Sequence, residues 1–248
     1  MPNLKEYYGV TRSLIMYYGI PFRRKKMVDL YGAFVSSGGT VFDCGSHVGN
    51  RIRAFRDLGA QVIGIEPQDH LMKLLQRWYG NDPHVVLEQC GVGSKPGLGT
   101  MLTSSKTPTV TTFSAEWIDL VRKDKRFQNI NWDDTAEVPL KTLDQLIAQH
   151  GIPDFCKIDV EGFEYEVLQG LSYPLKALSF EYIPVAKSEA LRCLDYLDGL
   201  GSYSYNWSLV ETMKFQEEDW VCSGRMKTIL NDMPIEQGSG DIYAKLLP

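Results

Sequence analysis

The stretch VFDCGSHVGN, residues 41–50, decides the reading of this chain. An apolar run ends in Asp43, the backbone is freed at Gly45 and Gly49, and RIRAFRDLG follows at once with the spacing of a helix closed by Gly59. That is a strand turning into a helix through a tight glycine turn, the place where open α/β sheets bind ligands. Gly45 lets the main chain come close to a ligand, and Gly49 removes a side chain where helix meets sheet. Asp43 would repel a phosphate at a helix N-terminus and suits a cation instead.

The rhythm continues outward. QVIGIEP reads as a strand, QDHLMKLLQRWYG as a helix closed by Gly80, and HVVLEQCGV as a strand. After residue 137, VPLKTLDQLIAQHG, DFCKIDV, EGFEYEVLQGL, ALSFEYIP and KSEALRCLDYLDGLG alternate strand and helix again, and SYSYNWSL and GDIYAKLL read as two antiparallel strands. Short turns between alternating elements imply right-handed crossovers and a mostly parallel sheet with helices on both faces. SKPGLGTMLTS is expected to be a hairpin around Pro96 and Gly97, and residues 104–135 an irregular Thr-rich lid anchored by aromatics. Residues 1–35 suit short helices capping the domain. No linker or composition shift divides residues 1–248, so one domain is expected.

Bulk composition narrows the function. The net charge of −5 argues against a general nucleic-acid or anionic-membrane binder. No apolar run approaches the ~18 residues of a membrane span, and no secretory pattern opens the chain. Cys44, Cys90, Cys156, Cys193 and Cys222 are scattered, as reduced thiols in the cytoplasm would be. No HExxH or Cys/His cluster marks a zinc site, so no metal is expected. FRRKK, residues 22–26, reads as a solvated face or as an attractor for an acidic substrate or carrier protein.

About twenty residues after the first turn, the second strand ends in Glu66–Pro67, and a carboxylate there can take both hydroxyls of a ribose. The dinucleotide fingerprint G-x-G-x-x-G is missing, since the turn offers only G-S-H-V-G. A cationic, ribose-bearing, phosphate-free ligand fits such a turn, and S-adenosylmethionine (SAM) has those properties.

With these residues placed, the chain resembles the FkbM family of SAM-dependent methyltransferases. The segments that carry the likeness are VFDCGSHVGNRIRAF, LGAQVIGIEPQ, CGVGSKPG, VPLKTLDQL, FCKIDVEGFEYEVLQGL, LSFEY and GDIYA, in that order from about residue 12 to residue 246. The resemblance implies a class I methyltransferase fold, Rossmann-like, with a seven-stranded sheet whose last strand is antiparallel. It implies methyl transfer from SAM, typically to a hydroxyl oxygen of a small molecule or glycan, free or carrier-bound. Carried over, Asp43, Gly45, Ser46 and Gly49 would line the methionine part, with Asn50 beside them. Glu66 and Pro67 would serve the ribose, Gln89 and Cys90 would flank the adenine, and Asp159 would face the methyl group and the acceptor.

Catalytic candidates are Asp159 and Glu161, two apart on the expected strand end, and His47 inside the first turn. Asp159 could serve as base, orienting group or ligand of a divalent ion, while Glu161 and His47 have plainer readings as a helix-start acid and a helix-start histidine. Lys157 reads as solvent-facing or ion-paired, and Glu181 as a substrate-site residue or a buried acid. Phe113, Trp117 and Trp132 either stack on a substrate or anchor the lid. An N-methyltransferase, an NAD(P)-dependent oxidoreductase on a similar sheet and a non-catalytic cofactor-binding module are the rival readings.

Overall fold

The structure is a computed structural model; it describes residues 4–104 and 106–248, with the side chains of residues 4–8 and 211 excepted. Residues 1–3 of the expected cap and Ser105 of the expected lid lie outside the described residues. Two helices come first, α1 (Leu4–Tyr18) and α2 (Arg23–Tyr31), and α2 turns Met27, Leu30 and Tyr31 inward at helical spacing. The alternating elements follow as β1 (Thr40–Cys44), α3 (Asn50–Asp57), β2 (Gln61–Ile65), α4 (Asp69–Tyr79) and β3 (Val85–Glu88). Gly59, at φ +78°, ends α3 in the left-handed region that glycine tolerates best.

The middle of the chain departs from expectation. HVVLEQCGV is not one strand: it breaks at Gln89–Cys90 into β3 and a two-residue β4 (Gly91–Val92). The hairpin around Pro96 and Gly97 does not form. Instead β5 (Gly97–Thr103) pairs antiparallel with β6 (Asp134–Lys141), and β4 pairs parallel with β6, giving a separate three-stranded sheet. Its hydrogen-bond partner is nearly forty residues away, which local turn chemistry does not report. Between β5 and β6 the segment expected to be irregular contains α5 (Ala115–Val121), whose N-cap Ser114 accepts from the Trp117 N–H.

The second half resumes the alternation with α6 (Leu143–His150), β7 (Phe155–Ile158), α7 (Glu164–Gln169), β8 (Ala177–Tyr182), α8 (Lys187–Leu200), β9 (Tyr203–Trp207), β10 (Val221–Cys222), α9 (Ser223–Asp232) and β11 (Gly240–Leu246). Thr142 and Gln145 close a capping box at the start of α6. The main sheet runs β10-β9-β11-β8-β7-β1-β2-β3. It has eight strands where seven were expected, the extra one being the short edge strand β10, and β11 is antiparallel to both neighbours.

Helices cover both faces. Met27, Leu30, Tyr31, Ile52, Phe55 and Leu75 join Val41 and Phe155 on one face. On the other, Phe42, Cys156 and Phe180 meet helices α6 to α9 through Leu146, Leu168, Leu194 and Leu230. Strand order reverses between β1 and β7, so the C-terminal ends of these two strands open the crevice where ligands bind.

Candidate active site

A belt of polar side chains lies on the α2/α3 face at the C-terminal ends of the strands. Asp43, Lys157, Ser179 and Tyr243 stand opposite one another across β1, β7, β8 and β11. One row further on lie Asp159, Glu181 and Asp241, the last two being register partners. Lys157 is fully buried, and its ammonium contacts Asp159 at 3.0 Å and Asp241 at 3.1 Å. The solvent-facing reading of Lys157 is therefore wrong: its position puts it on the core face. Burial works against its charge, but the two carboxylates carry its pKa above the usual lysine range. Burial would likewise raise Asp159, yet Lys157 and the Arg51 guanidinium, 3.7 Å away, hold it below the usual carboxylate range.

The first turn is built by backbone contacts. The N–H groups of Gly45 and Ser46 both donate to the Ile65 carbonyl, and the Asp159 N–H donates to the Cys44 carbonyl. Gly45 sits at φ +84°, and a Cβ there would lie 1.9 Å from the Asp159 carbonyl oxygen. Glycine is needed at this point because the chain after β7 crosses over it. Gly49, at φ +72°, is pressed by Leu75 and Tyr79. Glu66 is buried, and one carboxylate oxygen accepts from the His47 N–H while the other accepts from the Gln68 N–H, both at 2.9 Å.

These residues frame an open cleft walled by Gly45, His47, Glu66, Pro67, Cys90 and Phe113, with Asp159 and Glu161 at one side. A second, open chamber adjoins it, lined by Phe127, Glu181, Ile183 and Asp241 among others. Tyr17, Arg51, Thr109, Asp159 and Glu161 belong to both.

Not every expected cofactor residue reaches the cleft. Asp43, Ser46, Gly49 and Asn50 lie beneath it. Ser46 donates to the Asp43 carbonyl, and the Asn50 amide faces Met27 Sδ at 3.9 Å. Gln89 is exposed and directed toward Asp69, while its neighbour Cys90 forms part of the wall. Asp43 is 1% exposed, and neither carboxylate oxygen has a hydrogen-bond partner among the described residues. Burial pushes its pKa up to about 6 against the pull of Arg51 and Lys157. Glu66 is pushed up to about 7 by burial. His47 is driven down to about 4 by burial, its Nε2 has no hydrogen-bond partner among the described residues, and its ring meets Tyr17 edge-on.

Glu161 does not extend β7 as expected. The strand ends at Ile158, and Glu161 (φ +54°) and Gly162 (φ +82°) turn the chain before α7 begins. Burial and the neighbouring Asp159 raise Glu161 well above the carboxylate range; burial and Glu161 do the same to Glu181. Oxygens of Asp159, Glu161 and Glu181 lie within 4.8 Å of one another, a spacing a cation could bridge. The aromatics divide. Phe113 faces the cleft, whereas Trp117 is buried against Gly162, Phe127 and Trp132, whose Nε1 donates to the Val110 carbonyl.

Sequence reasoning missed Tyr17, Arg51, Gln68 and Thr109, and it missed Asp241 as the second partner of Lys157. Arg51 carried a weak signal as a cation in the first turn of the helix after the glycine turn. Gln68 directly follows Glu66–Pro67 and Thr109 lies in the expected lid, though neither stood out there; Tyr17 and Asp241 carried no signal, because distant segments bring them in.

The residues fit SAM. Glu66 keeps lone pairs beyond those used by its two N–H donors, the orphaned Asp43 carboxylate supplies negative charge beneath the turn, and Ile65, Cys90, Val92 and Phe113 offer an apolar wall for a purine. A family profile described as Methyltransferase FkbM domain matches residues 43–205. No curated protein sequence matches the chain. Among solved structures, a TehB-like SAM-dependent methyltransferase of Corynebacterium glutamicum superposes with a TM-score of 0.49 at 11% identity, covering 98% of both chains. Precorrin-6y C5,15-methyltransferase of Geobacter metallireducens gives 0.45 at 10% identity over 90% of this chain and 87% of that one. A Streptococcus mutans protein in complex with SAH, S-adenosylhomocysteine, gives 0.43 at 9% identity over 90% and 97%.

Proposed function

The chain belongs to the FkbM family of SAM-dependent methyltransferases, and from that premise we propose that it methylates a hydroxyl oxygen of a small molecule or sugar. The observation that carries this reading is the pair of joined chambers with Asp159 and Glu161 on their shared border. One chamber holds the cofactor beside Glu66 and Cys90; the other receives the acceptor. Bound SAM supplies an electrophilic methyl group on a cationic sulfur. The protein's work is alignment, worth roughly 7–11 kcal/mol in favourable cases, and removal of the hydroxyl proton, worth about 10²–10⁴-fold.

Asp159, held in place by Lys157 and Arg51, orients the acceptor, and Glu161 accepts its proton. His47 forms the wall against the cofactor. Five cysteines without a disulfide support a reducing compartment, the cytoplasm. The carboxylates on the chamber wall favour N-methylation as the second reading: they would bind an amine as its cation and take the proton that frees its lone pair for attack on the methyl group. Family membership sets aside the dinucleotide-dependent oxidoreductase.

The test is transfer of a ¹³C-labelled methyl group from SAM to a library of hydroxylated metabolites and sugars, with the product read by NMR. A new methyl ether supports the proposal. Label on nitrogen shifts the assignment to the second reading, and no transfer to any member defeats both.

A further inference from the structure

FRRKK has no part in the site just described. Positions 9–28 hold Arg12, Arg23, Arg24, Lys25 and Lys26 and no acidic residue, in a chain of net charge −5. Arg23 is turned inward, donating to the Met16 carbonyl and lying 5.1 Å over the Tyr17 ring. Arg24 pairs with Asp57. Arg12, Lys25 and Lys26 are exposed, and Lys25 and Lys26 form no ion pair among the described residues.

The same corner exposes apolar side chains. Phe22 is 79% exposed, Ile15 69% and Ile20 53%. Phe22 sits at φ +63°, a conformation a bulky residue rarely adopts, and holds its ring in water. Meanwhile Met27, Leu30 and Tyr31 on the opposite side of α2 are buried. An outward face that combines aliphatic and aromatic side chains with unpaired lysines has two weak signals for an anionic bilayer, and two are what reversible surface binding requires.

We propose that the α1–α2 corner rests on an anionic lipid surface, with Phe22, Ile20 and Ile15 entering the headgroup boundary and Lys25, Lys26 and Arg12 facing the lipid phosphates. Whole-chain charge argued against a membrane partner because it averages this segment with a more acidic remainder. No described helix is long and apolar enough to cross a membrane, so the contact is with the surface. Lipid fits better than nucleic acid because two of the three protruding side chains are isoleucines, which offer no stacking face for a base.

The test is co-sedimentation of the whole protein, with SAH added, on vesicles of phosphatidylcholine alone and of phosphatidylcholine with phosphatidylserine. Binding is expected only to the anionic vesicles and is expected to fall as salt is raised to about 0.5 M. Lys25→Glu with Lys26→Glu should weaken the partition about 30-fold or more, at roughly fivefold per lysine lost. Phe22→Asn, which suits the left-handed backbone, should weaken it independently. Unchanged SAH affinity in both variants shows that the fold is retained. Equal binding to both vesicle types, binding to neither, or undiminished binding by both variants overturns the proposal. Binding of a tRNA probe without vesicle binding overturns it in favour of a nucleic acid.

Discussion

The Lys157 ammonium lies 3.1 Å from a carboxylate oxygen of Asp241, 84 residues later in the chain, and both groups are buried. Together with Asp159 they tie the parallel half of the sheet to its antiparallel last strand at the edge of the second chamber. A charge of this kind is kept by its partners: removing Lys157 leaves Asp241 buried without its ion-pair partner and Asp159 with only the more distant Arg51.

Lys157→Met should therefore cost about 3–5 kcal/mol of folding stability, measured by urea denaturation. A loss below about 1 kcal/mol would mean that the two aspartates find other donors or protonate at little cost.

Gly45→Ala should destabilise the protein and weaken SAH binding together. The new Cβ would meet the Asp159 carbonyl oxygen at 1.9 Å, and a left-handed φ costs an L-residue roughly 1–2 kcal/mol before any collision. The fold and the cofactor turn share this contact, so denaturation and isothermal titration should move in step. A variant with wild-type stability that has lost only SAH affinity would show that Gly45 serves the ligand alone.

Stability and cofactor affinity should depend on pH in opposite directions. Asp43 and Glu66 have folded pKa values raised by burial to about 6 and about 7. Their unfolded counterparts ionise lower, so between about pH 4 and 7 the native state binds more protons, and these groups favour folding less as pH rises through that window. The cationic sulfonium and the ribose hydroxyls of SAM prefer both carboxylates ionised, so SAM should bind more tightly at pH 8 than at pH 5. Titrations at the two pH values check the sign. Tighter binding at pH 5 would remove Asp43 and Glu66 from the cofactor's surroundings.

Asp159→Asn should lower turnover far more than SAH affinity, because Asp159 borders both chambers. Equal losses in both would place it with the cofactor rather than with the reaction.

Much of the fold was legible because it is local. The apolar run into Asp43, the bare backbone at Gly45 and Gly49, and the helix stops at Gly59 and Gly80 are written in consecutive residues, as is the alternation that makes the main sheet parallel. Gly45 and Glu66 could be placed together since each ends a neighbouring strand of that sheet. The separate sheet was hidden because β5 finds its partner in β6, beyond an intervening helix, and Gly97 looked like a turn when it opens a strand.

What the amino-acid order determined by itself is the parallel sheet, its switch point and the character of the ligand that the first turn welcomes. What only the tertiary structure decided is which charges are paired. Lys157 is a buried cation because Asp159, just past the end of its own strand, and Asp241, on the last strand, converge on it; Glu161 leaves the strand line because the chain turns left-handed there; and Trp117 lies on Gly162. Periodicity along a chain reports which face a residue takes, whereas the energy of a buried charge depends on what other segments bring within a few ångströms of it.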